Sequence, residues 1–452
     1  NIYNGLTWGP DGWLYGCHGI VANSYVGKPG TPKDERTPMN CGVWRVHPVS
    51  HRFEPVTHGT TNPWGLDYDE NGQFFITNCV IKHLWHVIPG AHYQRMYGQD
   101  LNAHTYELMT SVADYLHWGG GPWQSSRGGE GVHDAAGGGH AHVGCMIYLG
   151  DNRPSKYRGR LFTCNLHGRR VNSDQLNEHG SGYQSERAPD FLKVDDPWFR
   201  GLELAYGPDG GVYMTDWSDI GECHDYKDIH RENGRIYKIT YGQPKHQPVD
   251  LAKLDNEELL KLQQHPNAWF ARHARRLLQE RASQKPLSSS FLKRVQDEFD
   301  HANGRAKRLR LLWTLQVTTP NGISEDFATK LLSDKEPYVR GWAIQLRLEK
   351  QEVSSSFLDQ LVNLAKTDPS PTVRLFLASG LQRLPLAKRW DLAAALVNHP
   401  EDAKDANLPL MIWYGIEPLV ASNKTRALQF VVQSKLPVIR QHIARRAAGL
   451  SE

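Results

Sequence analysis

The sequence lacks several features that would place it in a familiar class. No apolar run reaches 18 residues, so no segment is predicted to span a membrane. No Cys-x-x-Cys pair occurs, which disfavours a zinc knuckle, and the Cys-x-x-Cys-His motif of covalent haem attachment is absent too. The second half contains no cysteine. These absences exclude a membrane-spanning helix, a cysteine zinc knuckle and an attached haem as the basis of function.

Length and charge indicate two distinct regions. With 452 residues, 39% hydrophobic and 22% charged, the chain has ordinary globular composition and is long enough for two or three domains. Residues 1–249 hold 22 Lys and Arg against 27 Asp and Glu, a balance of −5, whereas residues 250–452 hold 30 against 22, a balance of +8. No aromatic and basic stacking platform accompanies the positive balance, so no nucleic-acid partner is predicted.

A repeated phrase organises the first half. Residues 201–215 read GLELAYGPDGGVYMT, in which apolar residues alternate on both sides of a Pro-Asp-Gly turn. Alternation with a period of two predicts strands, and the turn between them predicts a hairpin. The phrase recurs at 5–15 and 65–75, a weaker copy lies at 144–162, and a further strand is predicted over 235–239.

The spacing of the copies is typical of a β-propeller. Aligned on Gly5, Gly65, Gly144 and Glu203, they lie 60, 79 and 59 residues apart, which suits four-stranded blades with long loops. Four such blades would leave open sheet edges, and no leader peptide precedes the first strand. We therefore expect residues 1–241 to form an incomplete all-β propeller, completed by a preceding segment or another chain.

The second half has a helical period. Residues 242–249 form a breaker-rich linker, after which apolar residues recur at a spacing of 3.6. Two-helix repeats of about 34 residues stack into a solenoid, and the Pro-x-x-Val-Arg pattern resembles HEAT-like repeats. Residues 250–452 are therefore predicted to form an all-α HEAT-like solenoid that binds a protein partner or braces the propeller. The repeat is marked by an arginine after a turn at four positions: Arg272, Arg340, Arg374 and Arg440.

Candidate functional residues are predicted at the mouth of the propeller channel. Residues that lead into the innermost strands surround this mouth, where propellers usually bind ligands. Glu203 stands where the other copies have glycine, so it is a candidate general base or metal ligand, or only an ion-pair partner of an arginine. The predicted channel-mouth group is Asn62, Trp64, His142, His167, Glu203 and Asp216.

Histidine and cysteine are concentrated in the first half, which holds 17 of the 22 histidines and all six cysteines. Calcium bound by Asp216 and Asp219, with His224 as a further candidate ligand, is favoured over a transition metal. The sequence has no Cys-x-x-Cys pair, and the two pairs with similar spacing, Cys164 with His167 and His142 with Cys145, lie on or near extended chain, where alternate residues point to opposite faces. The six cysteines also suit one to three disulfides in an exported protein. The Gly-rich insertion 119–140 is either a mobile lid or an ordinary exposed loop, and it lacks the strand-to-helix context of a phosphate loop.

Several motifs together resemble the soluble glucose/sorbosone dehydrogenase family. They are the Gly-Pro-Asp-Gly hairpins, Asn62-Pro63, the segment YRGRLF at 157–162 and the closing GRIYKI at 234–239. The resemblance implies a six-bladed propeller that binds pyrroloquinoline quinone and calcium. With HEAT-like repeats added, the chain is similar to exported bacterial proteins called membrane-bound dehydrogenase-like, which often continue into a cytochrome c domain. The resemblance thus implies a periplasmic or cell-surface quinoprotein-like dehydrogenase for a sugar or other alcohol, with cytochrome c as electron acceptor.

Two positions depart from the family pattern. Asn1 stands where the family has its histidine base, and Thr61 replaces the arginine that precedes Asn62. We therefore expect His142 or His167 to act as the base. Asn62 and Trp64 are then expected to contact the quinone, whose carboxylates need cations. The arginines available for this are Arg153, Arg169, Arg170 and Arg200.

The same residues also fit a second class of function. In this interpretation the chain is a non-catalytic module that binds glycans or proteins, and tryptophan rings stack on the sugar faces. Nine tryptophans in the first half agree with a sugar ligand under either hypothesis. The candidate stacking rings are Trp64, Trp118 and Trp123.

Overall fold

The computed structural model describes residues 3–113, 115–222, 225–244, 248–350 and 352–450. Within them, strands occupy the first part of the chain and helices the second, as the change of hydrophobic period predicted. The strands are β1 (Tyr3–Trp8), β2 (Leu14–His18), β3 (Ser24–Val26), β4 (Thr37–Met39), β5 (Gly42–Val46), β6 (Phe53–Pro55), β7 (His58–Thr60), β8 (Asn62–Tyr68), β9 (Phe74–Cys79), β10 (Leu84–Val87), β11 (His92–Arg95), β12 (His142–Ile147), β13 (Leu161–Asn165), β14 (Arg170–His179), β15 (Gly182–Lys193), β16 (Gly201–Tyr206), β17 (Val212–Asp216) and β18 (Arg235–Ile239).

A single short helix interrupts the strands, and the remaining α-helices follow them in the described part of the chain. The helices are α1 (Val132–Ala136), α2 (Asn256–Lys261), α3 (Ala268–Gln284), α4 (Ser289–His301), α5 (Arg305–Thr318), α6 (Glu325–Leu331), α7 (Pro337–Leu348), α8 (Ser355–Thr367), α9 (Pro371–Leu381), α10 (Trp390–Leu396), α11 (Leu408–Ser422), α12 (Lys424–Gln433) and α13 (Pro437–Ala448). No helix in the described ranges is both long enough and apolar enough to cross a membrane.

The strands form four larger sheets and two strand pairs. The larger sheets have the orders β1-β2-β5-β6, β10-β9-β8, β12-β13-β14-β15 and β16-β17-β18, and the pairs are β11-β7 and β3-β4. Each copy of the repeated phrase supplies the first two strands of one larger sheet, and the strand predicted at 235–239 is β18. None of these sheets closes on itself among the described residues. A sheet-rich region followed by a helical one is thus confirmed, whereas a closed ring is not formed.

The hairpin turns owe their shape to side-chain hydrogen bonds and glycine. Asp209 Oδ1 accepts the backbone N–H of Gly211 at 3.1 Å, and Gly210 adopts a φ of +70°. At the corresponding turn between β8 and β9, Asp69 Oδ1 accepts the backbone N–H of Asn71 at 2.9 Å. Aspartate closes such turns by bonding the backbone two residues on, and glycine tolerates a positive φ. These local interactions are why the Pro-Asp-Gly signal predicted the hairpins correctly.

The first strands of the four larger sheets lie side by side in chain order, β1 against β8, β8 against β12 and β12 against β16. A Cβ atom at Gly65 would lie 2.5 Å from the backbone nitrogen of Cys145, and one at Gly144 would lie 2.6 Å from the carbonyl oxygen of Leu202. Both glycines also have a positive φ, +119° and +71°. The repeated glycine is therefore the residue that lets neighbouring first strands approach closely.

The helical region covers the turn ends of the sheets. Polar side chains of helical residues donate hydrogen bonds to backbone carbonyls in the turns. The pairs are Gln279 Nε2 with Gly12 O at 2.8 Å, Trp342 Nε1 with Asn71 O at 2.7 Å, Gln382 Nε2 with Gly90 O at 3.1 Å and Asn267 Nδ2 with Gly207 O at 3.0 Å. One hydrophobic cluster also runs across both regions and includes Tyr68 and Trp85 from strands and Leu278 and Trp342 from helices.

Two of the four arginines that mark the helical repeat join successive repeats. Arg340 pairs with Asp368 through two hydrogen bonds of 2.7 and 2.8 Å, and Arg374 pairs with Asp402 in the same way at 2.7 and 2.6 Å. Each aspartate lies 28 residues after its arginine, in the next repeat. Such two-pronged pairs fix geometry as well as charge, so they set the spacing of the helical stack. Arg272 differs because it bonds the sheet region instead.

Two further expectations can be compared with the structure. The strands end at Ile239, and a 3-10 turn at Leu251–Lys253 opens the helical part, but the division into domains 1–241 and 250–452 stays a prediction, and 245–247 of the linker lie outside the described residues. The disulfide interpretation is wrong for most of the cysteines, because they are buried thiols that pack inside the sheets. Those free cysteines are Cys17, Cys41, Cys145 and Cys164.

Candidate functional site

A cavity of about 470 Å³ lies between the four first strands and helix α3. The strands contribute residues 5–8, 66–67, 145–146 and 203–206 to its wall. Helix α3 contributes Trp269, Arg272, His273 and Arg276. Cavities of 300–1,000 Å³ with a few convergent polar groups are typical binding sites for small molecules, so this is the first candidate site.

Glu203 is the acidic group on the cavity wall with the most perturbed protonation. Its Oε1 accepts the backbone N–H of Cys145 at 3.3 Å and that of Leu204 at 3.1 Å. Burial raises the pKa of Glu203 to about 7, because the two hydrogen bonds only partly offset the loss of solvation, and the charge of Asp67 raises it further. A carboxyl group with such a pKa exchanges its proton near neutral pH, as general acid–base chemistry requires.

The second carboxylate of the cavity is already neutralised. Arg272 Nη1 donates to Asp67 Oδ1 at 2.7 Å, and Arg272 Nη2 donates to the carbonyl oxygen of Tyr68 at the same distance. The guanidinium also lies 3.9 Å above the Tyr68 ring. Burial opposes the charge of Arg272, but Asp67 and the neighbouring tyrosines raise the pKa of Arg272 above its ordinary value. This pair is therefore a fixed part of the wall, and Glu203 remains the group free to exchange protons.

Aromatic rings and one cation form the side of the cavity made by α3. The Arg276 guanidinium lies 3.7 Å from the centre of the Trp8 ring. The rings of Trp269 and His273 are stacked with centres 4.0 Å apart, and burial lowers the pKa of His273, so this imidazole is neutral at physiological pH. Flat aromatic faces beside a carboxyl group suit a ligand that has both apolar C–H faces and hydroxyl groups.

A cluster of three histidines lies at the opposite end of the sheets from the turns that the helices cover. His142 begins β12, His83 lies between β9 and β10, and His117 lies in the long connection before β12. Their ring centres are 4.0 Å (His83–His117), 4.8 Å (His83–His142) and 5.1 Å (His117–His142) apart. His83 and His117 are 0% exposed, and His142 is 1% exposed. We call these residues the histidine triad.

Burial affects the protonation of two members of the histidine triad, and a buried carboxylate lies beside the triad. Burial lowers the pKa of His117 and of His142 well below the ordinary value, and the other histidines lower both further. Asp174 Oδ1 lies 3.3 Å from His83 Nε2 and 3.8 Å from His117 Nε2, and its side chain is fully buried. Neutral imidazoles beside a carboxylate are the form in which histidine ligates metal ions.

A pair of histidines lies next to the histidine triad. The rings of His140 and His167 lie 4.3 Å apart, and His167 Nδ1 is 2.5 Å from Glu222 Oε2. Arg127 Nε, from the Gly-rich insertion, reaches the same Glu222 at 3.2 Å. His167 therefore lies next to a carboxylate, as a general base often does.

The structure places three residues of the predicted channel-mouth group at the same end of their sheets. Strand pairing sets Asn62 opposite Cys79, His142 opposite Asn165 and Gly201 opposite Asp216, so Asn62, His142 and Asp216 lie at the same end of their sheets. Glu203 lies farther along β16 and lines the cavity. Whether the group forms one site stays a prediction.

The predicted cofactor-binding arginines have partners inside the chain. Arg170 bonds Asp134 at 2.6 Å and Asp190 at 3.1 Å. Arg200 donates to four backbone carbonyls, those of Pro197, Phe199, Ile220 and Gly221. Arg169 donates to the carbonyl of Gly128 at 3.2 Å. These hydrogen bonds occupy donors that a quinone carboxylate would need.

The predicted stacking tryptophans and the predicted metal ligand Asp216 each contact different neighbours. Trp64 packs at the edge of a hydrophobic cluster, Trp118 stacks on His133 at 6.4 Å, and the Trp123 side chain lies outside the described residues. Asp216 Oδ1 accepts the N–H groups of residues 200 and 218, whereas Asp216 Oδ2 is buried with no hydrogen-bond partner.

Asp219 already has hydrogen-bond partners within the chain. Burial would raise the pKa of Asp219, but hydrogen bonds from the backbone and ring of His230 lower it to about 2. Of the remaining predicted residues, His224 and Asn1 lie outside the described residues. The calcium site therefore stays a prediction.

The Gly-rich insertion packs against strand residues. Asp134 Oδ1 accepts hydrogen bonds from Arg170 Nη2 and Lys193 Nζ, both at 2.6 Å. The Asp134 pKa falls below its ordinary value, chiefly because of the hydrogen bond from Lys193 and then that from Arg170. Its motion as a lid stays a prediction.

Sequence reasoning missed several residues that shape these sites. Their positions come from long loops and from packing between regions distant in sequence, so no local pattern marks them. The one available signal was the concentration of histidine in the first half. The missed residues include His83, His117, Asp174, Trp8, Trp269 and Arg276.

Comparison with known proteins identifies the family. The sequence profile of a family described as a domain of unknown function, DUF7133, matches residues 1–243. The chain belongs to this family. A comparison of the DUF7133 chain with curated proteins finds no match.

Two solved structures are similar to part of the DUF7133 chain. One is described as an oxidoreductase (glucose dehydrogenase) from Thermus thermophilus, with 18% identity and a TM-score of 0.32, and the other as a glucose dehydrogenase, with 17% identity and a TM-score of 0.31. Each match covers 52% of this chain and, respectively, 65% and 63% of the neighbour. The chain therefore spans less than two thirds of the length of either neighbour.

Proposed function

We propose that the DUF7133 chain is an oxidoreductase that oxidises a sugar or another alcohol in the cavity between its first strands. In this proposal residues 1–241 are part of a six-bladed-type propeller, and 250–452 are a HEAT-like solenoid that braces it. The protein works outside the cytoplasm, and cytochrome c is an electron acceptor. The support is the repeated hairpin phrase, the close approach of the first strands at Gly65 and Gly144, and the cavity that results.

Glu203 carries the proposal. Its pKa of about 7 allows it to take the proton of a substrate hydroxyl at neutral pH. Loss of that proton raises the electron density on the adjacent carbon, which can then release hydride to an acceptor. Trp8 and Trp269 offer ring faces for the apolar C–H groups of a sugar, and Arg276 offers donors for its hydroxyl oxygens.

Two of the arginines predicted to hold pyrroloquinoline quinone already bond groups of the chain. The carboxylates of the quinone need cations, but the donors of Arg170 and Arg200 bond groups within the chain, and Arg272 pairs with Asp67. Glu203 and Asp67 also add acidic groups to the cavity. No step is assigned to pyrroloquinoline quinone. The alcohol gives its hydroxyl proton to Glu203 and its hydride to a diffusible two-electron organic oxidant, and cytochrome c then reoxidises the reduced oxidant one electron at a time.

The test is turnover of a sugar and alcohol panel by the full chain with an artificial electron-accepting dye, with and without added quinone and calcium. We expect Glu203→Gln to lower kcat by about 10²–10⁴-fold while the substrate still binds. Glu186→Gln is the matched control, since Glu186 is exposed on β15, and it should keep full activity. Equal kcat in the wild type and Glu203→Gln would refute the role of Glu203.

A non-catalytic glycan-binding module is the second candidate, favoured by the two tryptophans, Trp8 and Trp269, that line the cavity. Sugar binding by calorimetry that Trp269→Ala abolishes, together with no turnover of any panel substrate, would establish this alternative. Loss of both binding and turnover across the panel would refute a sugar ligand altogether.

A further inference from the structure

We propose that the histidine triad His83, His117 and His142 binds a divalent transition-metal ion, with zinc and copper the chemically preferred species. The triad does not line the cavity that contains Glu203, so this site is additional to the proposed oxidoreductase site. Among the described residues, it is the group of three histidine, cysteine or acidic side chains whose ligand atoms come together.

The distances require only a small contraction. One ligand nitrogen from each ring lies within 4.8 Å of those of the other two. Tetrahedral coordination at about 2.0–2.1 Å puts neighbouring ligand nitrogens about 3.4 Å apart. Side-chain rotations that move each ring by about 1 Å would close this difference, and the three residues lie on separate segments that can adjust independently.

Unsatisfied ring nitrogens are the second observation. The buried nitrogens with no hydrogen-bond partner are His83 Nδ1, His117 Nδ1, His117 Nε2 and His142 Nδ1. A buried polar atom without a partner costs about 1–3 kcal/mol, so a ligand that bonds one nitrogen of each ring would remove part of this cost. A metal ion bound by one nitrogen from each ring satisfies three histidines at once.

Asp174 supplies the charge that a cation needs. It is fully buried beside His83 and His117, and no lysine or arginine forms a salt bridge with it in the described part of the chain. Its Oδ1 also accepts hydrogen bonds from Tyr115 and from Ser185, the latter at 3.2 Å. A buried carboxylate without a cation is costly, and a carboxylate that bonds the outer nitrogen of a ligating histidine is the usual support of a metal site.

Imidazole ligands select the class of metal. Neutral imidazoles suit zinc, copper, iron and nickel, whereas calcium and magnesium prefer oxygen ligands. Three histidines leave a fourth position, which Asp174 or a water molecule can take. This chemistry differs from the calcium site predicted from Asp216 and Asp219.

The test measures metal bound by the full chain after removal of metal with a chelator and reloading with Zn²⁺, Cu²⁺ or Co²⁺. We expect about one ion per chain by mass spectrometry, and a Co²⁺ visible spectrum and Cu²⁺ nitrogen hyperfine coupling that report imidazole ligands. His117→Ala and His142→Ala should lose the ion, whereas the control His179→Ala, at an exposed position, should keep it. Asp174→Asn should weaken binding about 10–100-fold.

Two results would overturn the proposal. One is failure of the wild-type chain to bind any of the three ions at tens of micromolar. The other is an unchanged Co²⁺ spectrum in folded His117→Ala, or loss of the spectrum only in His167→Ala, which would place the ion elsewhere. The wild-type spectra do not depend on any variant folding, so they test the site even if a triad substitution unfolds the protein.

Discussion

Replacing Gly144 by alanine tests why glycine recurs in the strand phrase. The new methyl group would lie 2.6 Å from the carbonyl oxygen of Leu202 and 3.0 Å from the Cα of Glu203, so backbone atoms of β16 would have to move. The φ of +71° adds strain for any residue with a side chain. The left-handed conformation costs about 1–2 kcal/mol. Overpacking against a neighbour costs about 1–3 kcal/mol more.

Gly159 is the matched control, because it has a φ of +79° beside the same sheet and a methyl group added there would meet nothing within 4 Å. Gly159→Ala should therefore lose only the conformational part, about 1–2 kcal/mol. The assay is urea unfolding followed by tryptophan fluorescence, with the free energy of unfolding taken from the midpoint and slope. Equal losses for Gly144→Ala and Gly159→Ala would refute the idea that close strand approach selects glycine.

Two other outcomes follow from buried charges. Asp368→Ala leaves Arg340 buried without its partner and should lower the free energy of unfolding, measured with urea, by about 3–5 kcal/mol. The control Asp391→Ala removes an exposed ion pair with Arg426 and should lower it by only about 0–1 kcal/mol. Equal losses would contradict the role of the repeat-joining pairs. The folded-state pKa of Glu203 is raised from 4.5 to about 7, so between pH 4.5 and 7 the folded protein binds more protons than the unfolded protein, and its stability falls as the pH rises. The melting temperature of the wild type relative to Glu203→Gln should therefore decline from pH 4.5 to 7. A constant difference would show that the Glu203 pKa is not raised.

The sequence was a good guide wherever structure depends on local chemistry. The hairpins followed from alternation and from aspartate and glycine in the turns, which act within a few residues. The helical repeat followed from a 3.6-residue period and from the recurring arginine. Arg340 and Arg374 proved to join successive repeats, a role that spacing alone could not reveal.

The candidate sites were harder to predict because they depend on distant residues. His142 was a predicted site residue, but the triad needs His83 and His117, which reach it through loops of irregular conformation. The cavity needs Arg276 and Trp269 from a helix that follows the sheets by many residues. Glu203 was predicted because it broke a repeat, and its raised pKa follows from the burial that the neighbouring strands impose.

The contacts between helices and turns have a consequence for synthesis of the chain. Gln279 follows Gly12 by 267 residues, and Trp342 follows Asn71 by 271. At 5–20 residues per second, each turn leaves the ribosome about 15–50 s before the helix that covers it is made. During this interval the apolar turn ends of the nascent sheets face water. Shortening the chain before α7 would keep the Gly12 turn covered but leave the Asn71 turn permanently exposed, and we expect the truncated product to aggregate or require a chaperone.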